Sequence, residues 1–176
     1  MTCHLILTRH AKSGWDDPAL ADHDRILSAR GRAAATRLGR WIRAEGYLPD
    51  AALVSSAART RETFARIAAE FAQPVPETVV PALYHAGPDT MLRVLEQAQG
   101  TRVMLVGHNP GIAELAAQLV ADPPAHPQFA RYPTGATLIA RFDIPELTAL
   151  RPGCGTVVDF VVPRELDAAG QRNGSA

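Results

Sequence analysis

Apolar positions along the chain fall into two kinds of run that alternate with each other. Short unbroken runs occur at HLILT (residues 4–8), ALVSS (52–56) and RVMLVG (102–107), with a weaker one near Thr78–Val80. Runs of this length, rich in Leu, Ile and Val, predict strands buried on both faces. Between them the apolar residues move to a spacing of three and four. Ser28 is placed to cap a helix in which Ala34, Leu38, Trp41 and Ile42 form one stripe and Gly46 ends the run. Ser56 is placed to cap a second helix, Ala57 to Phe71, with Thr60, Phe64, Ile67, Ala68 and Phe71 on the helical period. Pro88 opens a third carrying Met91, Leu92 and Leu95 and closed by Gly100. The fourth is PGIAELAAQLVAD, for which Asn109 is the expected cap and Pro110 the first helical residue.

Strands that alternate with helices predict a three-layer α/β single domain, with a mainly parallel central sheet flanked by helices. The last two strand candidates, ATLIARF and TVVDFVV, have no helix between them and read as an antiparallel edge pair. A loop covers residues 11–27 and another covers Asp122 to Gly135. Residues 1–163 are expected to form the domain. Residues 164–176, RELDAAGQRNGSA, are expected to be a flexible polar tail.

Two histidines stand where strands should end: His10 in LILTRHAKS and His108 in VMLVGHNPG. In an open α/β sheet, ligands bind outside the carboxyl ends of the strands, so both imidazoles are expected in one crevice. Arg9 adjoins the first, and Arg59 in ALVSSAARTRET lies at a further strand-to-helix junction. Either histidine alone reads as a capping or packing residue. Two imidazoles and two guanidiniums at one sheet edge instead suit a phosphoryl group, which needs positive donors around its equatorial oxygens and an in-line nucleophile.

Taken in order, LILTRHAKSGW, ALVSSAARTRET and VMLVGHNPG resemble the histidine phosphatase superfamily, in its short, SixA-like phosphohistidine phosphatase branch. The resemblance covers about residues 4–120 and extends loosely to PTGATLIARF. It implies a phosphoglycerate-mutase-like fold and phosphatase activity without a cofactor. It also implies that His10 is the phosphorylated nucleophile, that Arg9 and Arg59 clamp the phosphoryl oxygens, and that His108 completes the pocket. Arg25 matches a further phosphate-site arginine, although Ile26 follows it here in place of the expected proline. Ala11 stands where many relatives have glycine.

Relatives that act on sugar phosphates carry a long insert before the second histidine, which forms a lid and bears a glutamate general acid. This chain has only one helix and short strands there, and the stretch corresponding to the acid, PALYHAGPD, offers only His85 and Asp89 as possible acid or substrate contacts. The expectation is a shallow, open pocket, better suited to phosphohistidine on a protein partner than to a small phosphorylated compound, whose alkoxide leaving group needs a proton. A small-molecule phosphomonoesterase and a non-catalytic phospho-ligand binding module are the alternatives. A metal-dependent hydrolase using His10 and His108 finds no supporting ligand spacing, so no metal is expected. Asp16, Asp17, Asp22 and Asp24 read as a solvated acidic loop, and His4, His23 and His126 as surface or packing residues. Lys12 and Ser13 could touch phosphate or only shape the turn. Formal net charge is zero, which argues against nucleic-acid or membrane partners. Two cysteines, no apolar span and no basic leader in MTCHLILTRH together predict a cytoplasmic protein.

Overall fold

Each apolar run becomes a strand of one sheet. In the computed structural model, which describes residues 1–15 and 17–170, the strands are β1 (Cys3–Arg9), β2 (Ala51–Ser55), β3 (Glu77–Val80), β4 (Arg102–Gly107), β5 (Thr137–Phe142) and β6 (Gly155–Val161). They are ordered β3-β2-β4-β1-β5-β6. β3, β2, β4 and β1 run parallel, and β5 and β6 close the other side as the expected antiparallel pair.

Side chains alternate across the sheet, so β1 and β4 feed two cores. Leu5, Leu7, Val103 and Leu105 pack beneath α3 (Pro88–Leu95) and α4 (Gly111–Leu119). Ile6, Met104 and Val106 pack beneath α1 (Ala29–Ala44) and α2 (Ala58–Ala68). The three-layer expectation therefore holds, with β1 and β4 central and buried on both faces.

Local expectations were met unevenly. Ser28 caps α1, accepting from Gly31 N at 3.1 Å. Ser56 does not cap α2: its hydroxyl bonds His23 Nε2, and Ala57 holds the cap position without a side-chain bond. α2 also ends at Ala68 rather than at Phe71. At α4 the cap position falls to Pro110, after a cis Asn109–Pro110 peptide, because the Asn109 amide donates instead to the Arg131 and Tyr132 carbonyls.

The expected polar tail begins with structure. Pro163–Gly170 form a helix, α5, held where Glu165 accepts from Val162 N and pairs with His126, while Leu166 packs on the α1–α2 core. Asp16 and the rest of the tail, residues 171–176, lie outside the described residues.

α1 seats directly on the loop that follows β1. The Lys12 carbonyl accepts from both Ser28 N and Ser28 Oγ, and a Cβ on Gly31 would lie 2.0 Å from that carbonyl oxygen. Only glycine fits there. Gly31→Ala is expected to lower unfolding free energy by about 1–3 kcal/mol, read from denaturant curves; a loss below about 0.5 kcal/mol would mean that the helix seat is not tight.

Candidate active site

Three neighbouring parallel strands end at one edge, and each delivers part of the site. β1 delivers Arg9 and His10, β4 delivers His108, and β2 with the first turn of α2 delivers Ser55 and Arg59. The chain at His10 is clamped on both sides. His10 N donates to Gly107 O, and Gly135 N donates to the carbonyls of Arg9 and His10. Thr63 of α2 adds a third tie, accepting from Ala11 N at 3.0 Å.

The two imidazoles face each other with ring centroids 5.3 Å apart. His10 Nδ1 lies 2.7 Å from the Ala11 carbonyl, which can only accept, so Nδ1 carries the proton and Nε2 keeps a free lone pair. His108 Nε2 bonds Ser55 Oγ at 2.7 Å, and its Nδ1 faces Arg59 Nη2 at 3.5 Å. The guanidinium can only donate, so in this state Nδ1 is the acceptor and Nε2 donates to Ser55.

Burial, reinforced by the charges of Arg59, Arg9 and Arg25 and opposed by the Ala11 hydrogen bond, pushes the His10 pKa down to about 4. Burial and the neighbouring His10 and Arg59 push His108 down to about 3. Both rings are neutral near pH 7. Arg9 donates to Tyr132 O, while its Nε is buried and makes no hydrogen bond.

Arg25 and Arg59 meet on one carboxylate. Asp22 Oδ1 accepts from Arg25 at 3.0 Å. Its Oδ2 accepts from Arg59 at 3.0 Å, Tyr84 at 2.7 Å and His85 at 3.0 Å. Hydrogen bonds from Tyr84 and His85, with those from the two arginines, hold the Asp22 pKa far below the usual carboxylate range. Asp22 is solvent-exposed, as expected of this acidic loop, but it also gathers four donors of the site as its organising anion. The signal that could have found it was the Asp22-x-x-Arg25 spacing, which sets both side chains on a short 3-10 turn, Asp22–Asp24, and its C-terminal flank. Arg25 is further fixed by Ser13 Oγ at 2.7 Å and by Trp15, whose ring centroid lies 3.3 Å from the guanidinium carbon.

The structure thus brings His10, Arg9, Arg59, His108 and Arg25 to one cleft of about 270 Å³, with Lys12, Ser13, Asp22, His85 and Thr134 also in its lining. His85 stacks on His108 at 5.2 Å. Asp89 is not brought in; it lies exposed in the first turn of α3. His10, Arg59 and His108 are only 8, 3 and 2% exposed, with Asp22 lying against Arg59 and Tyr84 against His108. Among the described residues no group of three or more His, Cys, Asp or Glu side chains is arranged to hold a metal ion. Among the described residues no helix is long and apolar enough to cross a membrane.

Residues 5–83 match the family described as the histidine phosphatase superfamily (branch 1). An uncharacterised protein of Mycobacterium tuberculosis (strain ATCC 25618 / H37Rv) is 33% identical over 163 residues, spanning 89% of this chain and 99% of its own. Among solved structures, a SixA protein from Nakamurella multipartitia, provisionally named a phosphohistidine phosphatase, superposes with a TM-score of 0.79 at 27% identity over 93% of this chain and 97% of its own. A provisionally named SixA from Agrobacterium tumefaciens gives 0.74 at 26% identity, over 92% and 99% of the respective chains.

The neutral imidazoles have a measurable consequence. Ring-proton NMR of the free protein is expected to place the His10 midpoint near 4, well below the ordinary 6.5. The unfolded chain then binds more protons between those values, so stability rises with pH from about 4 to 6.5 and is complete above. A His10 midpoint at the ordinary value would contradict the buried, cation-flanked geometry.

Proposed function

The chain belongs to the histidine phosphatase superfamily, and from that premise we propose that it is a cofactor-independent phosphatase acting through a covalent phosphohistidine on His10, with phosphohistidine of a partner protein as its substrate. One observation carries the reading: the free Nε2 lone pair of a neutral, buried His10, in a cleft lined by the guanidiniums of Arg9 and Arg59.

In the first step, His10 Nε2 forms a bond to phosphorus while the P–N bond to the substrate imidazole breaks. The departing nitrogen takes its proton from water. In the second step, water attacks phosphorus and gives up a proton to solvent, the P–Nε2 bond breaks, and inorganic phosphate leaves. A phosphoryl oxygen supplies the acceptor that Arg9 Nε lacks. The dianion competes with the Asp22 carboxylate for the forks of Arg59 and Arg25. Its charge also favours protonation of His108, whose Nδ1 then becomes a donor toward the transferring group.

The substrate class follows from which groups can deliver a proton. Asp22 is the one carboxylate among the described residues lining the cleft, and its hydrogen bonds keep it ionised, so it is no acid at neutral pH. A P–N bond, whose imidazole leaves readily, suits such a site better than an alkyl ester. The position of His85 over His108 favours one second reading, a small-molecule phosphomonoesterase with His85 as acid.

Comparing kcat/KM for a phosphohistidine protein, an aryl phosphate and a sugar phosphate tests the assignment. The expected order is phosphohistidine first, the activated aryl phosphate between and the sugar phosphate last. A sugar phosphate in first place would install the second reading, and no turnover of any of them would leave a phospho-ligand binding module. Undiminished rates in the presence of a chelator are expected; their loss would point to a metal-dependent hydrolase. Arg59→Lys keeps the charge but loses the planar fork, so a rate loss of about tenfold or more is expected. Equal rates would place Arg59 outside the transition state.

A further inference from the structure

A second cleft, about 300 Å³ in volume, opens beside the candidate active site, and Lys12 and Thr134 line both. Its walls carry four cations from three separate segments: Lys12 after β1, Arg30 and Arg37 of α1, and Arg164 in the first turn of α5. Among the described residues no carboxylate lines it, and neither Lys12, Arg30 nor Arg164 is in an ion pair. In a chain of zero formal net charge, that local concentration of cations makes this cleft attractive to anions.

We propose that this cleft is a docking subsite for carboxylates on a protein segment that flanks the phosphorylated residue, so that the chain selects acidic partner surfaces. The inference rests on the phosphatase reading of the neighbouring site. Two features favour carboxylates over a second phosphate. The cations stand on three different elements around a cleft larger than one phosphoryl group fills, instead of converging on a point. Val162 and the amide of Gln128 line the space between them, offering an apolar surface and a hydrogen-bonding group of the kinds a peptide uses.

The double variant Arg30→Glu/Arg164→Glu tests it. Both positions lie in first helical turns, where a carboxylate is compatible with the helix dipole, so folding is preserved. The probe is fluorescently labelled hexaglutamate, with tripolyphosphate as the competing chemistry. Wild type is expected to bind hexaglutamate in a salt-sensitive manner, and the double variant about tenfold more weakly or worse. Both proteins should hydrolyse an aryl phosphate with kcat/KM equal within about twofold, since the variant leaves the cleft around His10 intact. Hexaglutamate bound equally by both proteins, or tripolyphosphate bound in this cleft while hexaglutamate is not, would overturn the proposal. Loss of the phosphatase reading would show separately, as absent turnover in wild type, because the binding measurement does not depend on catalysis.

Discussion

The site depends on the parallel pairing of β1 with β4. That register sets Arg9 opposite Gly107, so the two strands end level with each other and the residues that follow them, His10 and His108, emerge side by side. The His10 backbone is then held by Gly107 on one flank and Gly135 on the other, which removes the freedom a loop histidine would otherwise have. A one-residue slip of β1 would exchange its buried faces and carry His10 away from His108. The two hydrophobic cores, one on each face, make such a slip prohibitive. Packing far from the chemistry is therefore what places the nucleophile.

Charge is organised around that fixed pair. Desolvation disfavours protonation of both imidazoles, and the guanidiniums at the same edge reinforce it, so the ring nitrogen facing the cleft is an available lone pair near neutral pH. Two of them, Arg25 and Arg59, are held by Asp22, a carboxylate that accepts from both guanidiniums, a phenol and an imidazole. It occupies part of the donor set that a phosphoryl group would use. In the free site Arg25 and Arg59 are thus paired while Arg9 Nε is left without an acceptor, so an arriving dianion displaces one anion from two guanidiniums and meets a waiting donor on the third.

The parts legible in the sequence were those set by short-range pattern. Leu5, Ile6 and Leu7, like Val103 to Val106, announce strands buried on both faces because every position in them is apolar. The convergence of His10, His108, Arg9 and Arg59 followed from strand ends sharing one edge. What stayed hidden depends on contacts distant in sequence. Asp22 sits in a loop rich in aspartates; beyond its local pair with Arg25 it is marked out by Arg59, Tyr84 and His85, which tertiary folding brings to it. Ser56 and Asn109 are good caps by residue type, yet their side chains are claimed by His23 and by the 131–132 carbonyls. The burial of Arg59 and His108 was likewise hidden, since Asp22 and Tyr84 reach them from other segments. α5 was hidden by its polar composition, and its anchors, His126 and the α1–α2 core, lie in other segments.

His10 Nε2 is the atom proposed to carry the phosphoryl group. Rapid quenching of the protein with a phosphoryl donor under alkaline conditions, followed by peptide mapping and 31P–15N NMR of the trapped species, tests this directly. The account predicts one acid-labile, base-stable phosphoryl group, on Nε2 of His10, because Nδ1 is engaged with the Ala11 carbonyl. Phosphate on His108, on Nδ1 of His10 or on His85, or turnover without any trapped phosphoenzyme at saturating donor, would contradict it.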